Sequence, residues 1–114
     1  MRKKIRVPIY DLPIIIHVTD NVGEVAEKID GVKDDSVIEN EATVLIDKIG
    51  ITNLVIKPDA NINTICHESF HIMVNIMDDV GMTLSDSSEE AYAYLIGWVS
   101  EKINETIIAY NNKK

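Results

Sequence analysis

A chain of 114 residues, 46% hydrophobic and 26% charged, has the size and balance of one globular domain and excludes a disordered or low-complexity polypeptide. Nineteen acidic against eleven basic residues give a formal net charge of −8, which argues against broad nucleic-acid binding, a function that rests on Lys and Arg neutralising phosphates. One cysteine, Cys66, excludes an internal disulfide, and no apolar run approaches the ~20 residues of a membrane span, so the expectation is a cytoplasmic protein with no membrane or nucleic-acid partner.

The cluster Arg2, Lys3, Lys4, Arg6 reads as a solvated terminus. Ile5 to Val18 is rich in β-branched residues and interrupted by prolines, which predicts one extended strand, or two short ones broken near Asp11–Pro13. Thr19 and Asp20 can cap a short helix in which Val22, Val25, Ala26 and Ile29 follow helical spacing, and Asp30-Gly31 ends it. Val32 to Glu41 is polar and reads as a loop. Thr43 to Ile49 is apolar enough for a strand, with a short helix as the alternative, Gly50 is a break, and Asn53 to Lys57 is a strand stopped by Pro58.

Asp59, Asn61 and Asn63 are candidate caps for a helix running to about Val80 and ending at Gly81. Its apolar positions (Ile65, Cys66, Phe70, Ile72, Met73, Val74, Ile76, Met77) spread around the whole circumference, which predicts a buried helix. Met82 to Ser88 is a loop. Asp86 with Glu89 and Ser87 with Glu90 form overlapping capping boxes for a last helix from about Ser88 to Ile108. Tyr92, Ile96, Val99, Ile103 and Ile107 make its main stripe, with Leu95 and Trp98 beside it.

The predicted buried helix carries His67-Glu68-Ser69-Phe70-His71, an H-E-x-x-H pentad. Residues four apart share a helical face, so both imidazoles aim at one point, with Glu68 about 100° round the helix. Zinc takes nitrogen donors at that separation, and a hydrolase needs a carboxylate base beside them. A catalytic zinc also needs a third protein ligand. Glu90 is the best candidate and Glu89 the fallback. The helix travels ~14 Å from His71 to Val80, and Gly81–Asp86 can retrace up to ~20 Å, enough to bring Glu90 level with His71.

H-E-x-x-H followed after eighteen residues by Glu resembles the gluzincin branch of zinc metallopeptidases, in particular the aminopeptidase pattern, where the ligand glutamate opens a helix in a context such as N-E-G-F-A. Here the corresponding residues are Glu89-Glu90-Ala91-Tyr92-Ala93, without the Asn and Gly. The resemblance implies Zn²⁺ held by His67, His71 and Glu90, with Glu68 as catalytic general base toward a zinc-bound water. It also implies that Asn53, Leu54, Val55, Ile56 and Lys57 form the edge strand that aligns substrate. Tyr94 stands where a carboxylate often follows the ligand glutamate by one turn. The stretch from Asn53 to Val99 is similar as well to small HExxH proteins encoded by bacteriophages.

Other residues have plainer readings. His17 is expected as a half-buried strand residue and Cys66 as a small core residue. Asp78, two turns beyond His71, could orient a ligand imidazole or stand in solvent. Tyr92, Tyr94 and Tyr110 could donate to an oxyanion, though packing is the expected role of each. The expected fold is α+β, a single minimal zincin-like domain over residues 1–114, with a small mixed sheet of about three strands packed on the HExxH helix and a long C-terminal helix. The expected function is a zinc-dependent hydrolase, a metallopeptidase acting on a peptide or protein. The alternative is a non-catalytic, zinc-stabilised structural or partner-binding protein, phage- or mobile-element-encoded and virion-associated in that case, working as a homo-oligomer or in a larger assembly. A third reading is a metal-free domain with a chance pentad.

Overall fold

The computed structural model describes residues 1–30 and 41–113. The predicted loop from Val32 therefore lies outside the described residues except for its last member, Glu41. Among the described residues, four strands, β1 (Arg2–Arg6), β2 (Pro13–Val18), β3 (Ala42–Ile46) and β4 (Thr52–Ile56), and three helices, α1 (Val22–Asp30), α2 (Ile62–Asp79) and α3 (Glu89–Asn112), make an α+β fold. The sheet order is β1-β2-β4-β3. Only the central β2–β4 pair is parallel; both outer pairs are antiparallel.

The sheet has one strand more than expected because the N-terminal apolar stretch folds back on itself. Val7 N–H donates to Leu12 O (2.9 Å) across the turn, and Ile9 and Asp11 take left-handed φ values of 71° and 53°. Pro13 then sits at the first position of β2, where its missing N–H is tolerated.

Side-chain alternation along the strands divides the interior. Ile14, Ile16 and Val18 of β2 and Leu54 and Ile56 of β4 join Ile65, Ile72, Ile76, Met77, Leu95, Val99 and Ile103 in the main core under α2 and α3. Ile15 and Val55, equally buried, face the opposite side, where α1 contributes buried Val22 and Ala26. α1 thus belongs to the crossover that makes β2 and β4 parallel.

Helix boundaries follow local chemistry at α2. Asn61 Oδ1 accepts from Thr64 N–H (2.9 Å) at its start. At its end Gly81 takes φ 75°, while Met82 N–H bonds to Met77 O and Gly81 N–H to Asp78 O, a Schellman closure. At α3 the predicted capping boxes do not form. Ser88 is the N-cap, and its side chain makes no cap bond. Its hydroxyl instead ties the preceding turn together, donating to Thr83 O (2.6 Å) and accepting from Ser85 N–H (2.9 Å).

Two further expectations are corrected. α2 is not buried all round: Cys66, His67, Phe70, His71, Val74 and Asp78 form an exposed face, with Phe70 at 48% and Val74 at 40% exposure. Cys66 is therefore a surface residue. Composition alone made the helix look buried, but among the described residues the sheet and α3 cover only one side of it. Among the described residues no helix is long and apolar enough to cross a membrane.

Candidate metal centre

The exposed face of α2 brings His67 and His71 together as their spacing requires. Their Nε2 atoms lie 3.2 Å apart, with ring centroids at 4.9 Å and planes at 68°. Without metal the pair can share one proton, one ring donating and the other accepting. Two nitrogens bound at ~2.05 Å to one tetrahedral zinc would stand about 3.3 Å apart. The separation of the two nitrogens is thus close to what a common metal ion requires.

Glu68 sits one step round the helix, with Oε1 3.8 Å from His67 Nε2. Its side chain is only 9% exposed, against 67% for His67. Burial pushes the Glu68 carboxyl above the usual glutamate range, against the opposing pull of both imidazoles. Glu68 and His67 border a polar hollow of about 280 Å³, closed on the other side by Glu41 and Ala42 at the start of β3. Glu41 reaches away toward Lys57, with 3.9 Å between carboxylate and ammonium.

A serine contact supports this arrangement from behind. Ser69, fully buried inside the pentad, donates to Ile65 O (2.6 Å), and Ser100 of α3 donates to Ser69 Oγ (2.9 Å). This pins α2 to α3 one residue from Glu68. Sequence reasoning passed over both serines; the available signal was a hydroxyl on the core side of each helix.

Glu90 is not gathered with the imidazoles. It stands exposed in the first turn of α3, beside exposed Glu89. Among the described residues, no group of three or more His, Cys, Asp or Glu is placed to hold a metal ion. The donor set therefore fits zinc in its two nitrogens and in an adjacent carboxylate, and leaves the third protein ligand unfilled. Asp78 is exposed on the histidine face. Tyr92 donates to Met82 O (3.1 Å), and Tyr94 is 76% exposed on α3.

The predicted substrate-aligning strand is also corrected. β4 pairs with β2 on one side and β3 on the other, and all five of its residues are buried, so Asn53–Ile56 offer no free edge. Among the described residues, the free edge on this side of the sheet belongs to β3. Glu41 O accepts from Lys57 N–H and Asp47 N–H donates to Ile51 O, so by alternation the backbone groups of Ala42, Val44 and Ile46 point outward.

His17 behaves differently. Its Nε2 lies 2.8 Å from Asn53 Oδ1. Asn53 commits its amide protons to Asp47 Oδ2 and Ile51 O (both 3.0 Å), so His17 is the donor. Asp47 Oδ1 accepts from Ile49 and Ile51 N–H, and these bonds hold its carboxyl below the ordinary aspartate range.

No family model, curated protein or solved structure matches this chain. The functional argument therefore rests on the pentad and its surroundings.

Proposed function

We propose that this protein is a zinc-dependent hydrolase of the metallopeptidase class, with His67 and His71 as metal ligands and Glu68 as general base. The observation that carries the reading is the 3.2 Å separation of the two Nε2 atoms, matched to tetrahedral zinc, with a half-sequestered carboxylate next to them. Zn²⁺, when bound, supplies Lewis acidity that polarises a carbonyl and acidifies water. Glu68 takes a proton from the attacking water and passes it to the leaving amine. Its burial favours that role, because a carboxylate held out of water is a stronger base than a solvated one. The substrate is an extended peptide pairing with the outer edge of β3, which leads to the hollow beside His67 and Glu68. Glu90 is assigned as third ligand on its spacing alone.

The second reading, a non-catalytic zinc site that serves assembly or partner binding, is favoured by the open setting of the pair. Both imidazoles lie on an exposed helix face beside exposed Phe70 and Val74, a surface that a partner chain could cover. Glu68→Gln separates the two. Under the hydrolase reading it retains about one zinc per chain and loses peptide cleavage by at least ~100-fold. Peptide cleavage unchanged in the variant, or absent from zinc-loaded wild type across a peptide library, defeats the hydrolase reading. Elemental mass spectrometry of tag-free wild type, His71→Ala and Glu90→Ala tests the ligands. Zinc lost in the first variant but kept in the second removes Glu90 from the set.

A further inference from the structure

A basic cavity lies far from the pentad in sequence, in a protein of net charge −8. It is a groove of about 620 Å³ between the outer edge of β1 and α3. Arg2, Lys3 and Arg6 come to it from the strand, and Lys102 and Lys113 from the helix. Glu105 is the single acid among its described lining residues and is paired with Lys102 (3.2 Å). Arg2, Lys3 and Lys113 make no ion pair among the described residues.

The backbone of β1 is as informative as its charges. Val18 N–H donates to Met1 O, and Val7 N–H to Leu12 O, so the odd-numbered residues of the strand are bonded inward to β2. The N–H and C=O groups of Arg2, Lys4 and Arg6 consequently point outward, and among the described residues no strand pairs with them. Cations on an edge strand keep sheets from pairing edge to edge, which accounts for Arg2–Arg6 taken alone. It does not account for a helix that walls the same edge with further cations and Trp98.

Trp98 also marks one end of the groove. It is shared with an apolar hollow of about 350 Å³ lined by Ile9, Tyr10, Tyr94 and Leu95. Ile9, a β-branched residue in left-handed conformation, is held 96% exposed at its rim. From Trp98 to Lys113 the helix rises ~22 Å, the span of about six or seven extended residues.

We propose that this groove is a docking site for an extended acidic peptide segment of a partner protein, which adds beside β1 as another strand and seats an apolar anchor in the hollow at Trp98. Charge complementarity selects acidic side chains. The outward N–H and C=O groups at alternate residues select a peptide backbone over a nucleic acid, which has no matching ladder of amide groups. This site is independent of the metal reading.

The test uses the full chain and short labelled peptides that alternate Glu with Val and end in Phe, read by anisotropy and by the fluorescence of the only tryptophan, Trp98. The same peptide with Lys for Glu and a labelled oligo-uridylate are run alongside. The acidic peptide is expected to bind below about 100 µM and to perturb Trp98 emission. Arg2→Glu with Lys3→Glu should weaken it at least about tenfold. Lys4→Pro removes only an outward N–H and should do the same, while Lys4→Ala changes affinity by less than about threefold. Lys113→Glu, at the far end of α3, gives a charge test that leaves the sheet untouched and should also weaken binding. The proposal is overturned by no binding of the acidic peptide at that concentration, by equal binding of the lysine peptide, by tighter binding of oligo-uridylate, or by Lys4→Pro matching Lys4→Ala.

Discussion

His17 and the His67–His71 pair are the same side chain put to opposite uses. His17 lies on the α1 side of the sheet, where each polar neighbour is already committed: its proton goes to Asn53, the Asn53 amide to Asp47 and Ile51, and Asp47 to the backbone of its turn. His67 and His71 stand on an open helix face, and the hydrogen bond between their rings is with each other. A histidine tied through Nε2 into a fixed network holds sheet to turn. A pair whose nitrogens converge on one another retains the capacity to bind something else. The comparison separates a structural imidazole from a ligand imidazole without reference to the pentad.

The hardest blow to that distinction comes from metal. If the α2 pair is a ligand set and His17 is not, zinc at ~1,000 times its Kd stabilises the wild type by about 4 kcal/mol, and His71→Ala abolishes the effect. Thermal melting with and without zinc measures this. Equal stabilisation of the two proteins would erase the contrast, and loss of the effect on changing His17 would reverse it. Asn53→Leu attacks the other side. It strands the His17 proton and frees Asp47 from its cross-strand partner, with an expected loss of about 2 kcal/mol by denaturant titration. Zinc uptake should be untouched, because the β2–β4 face bearing the network looks away from α2.

How far each half of the comparison was legible depends on range. The imidazole pair follows from an i, i+4 spacing, and the Asn61 cap and Gly81 closure of its helix are equally local. The Asn53 partner of His17 is thirty-six residues away in sequence, brought across by the parallel β2–β4 register, which no short-range pattern announces. The same reason misplaced the substrate edge, whereas the break that makes the fourth strand was already visible near Asp11–Pro13. NLVIK reads as a strand, but whether a strand is central or outermost is decided by its partners. Phe70 and Cys66 were misjudged because an apolar residue states a preference for burial, while α3 and the sheet decide which helix face receives it. The capping boxes before α3 gave way to a local turn tied by the Ser88 hydroxyl, which puts Ser88 rather than Asp86 or Ser87 at the N-cap. The third metal ligand was reasoned from chain reach, which shows that Glu90 can approach His71 and not that it does.

The smallest effect is a pH dependence carried by His17 in metal-free protein. Burial, chiefly, together with Arg2 opposite it, lowers the His17 pKa from the usual value, against the raising effect of the Asn53 bond. The unfolded chain therefore takes up a proton at higher pH than the folded one. Stability from this group is complete above about pH 6.5 and falls as pH drops below it, levelling once folded His17 is itself protonated. Asp47, whose pKa is also depressed, adds a separate loss that begins only below about pH 4. His17→Gln keeps an amide donor for Asn53 but cannot titrate, so calorimetric melting temperatures of the variant should fall less between pH 7.5 and 5 than those of wild type, while the acid limb near pH 4 persists. Parallel curves for the two proteins through the upper window would mean that His17 exchanges its proton as freely as an exposed histidine, and that the network around Asn53 does not hold it.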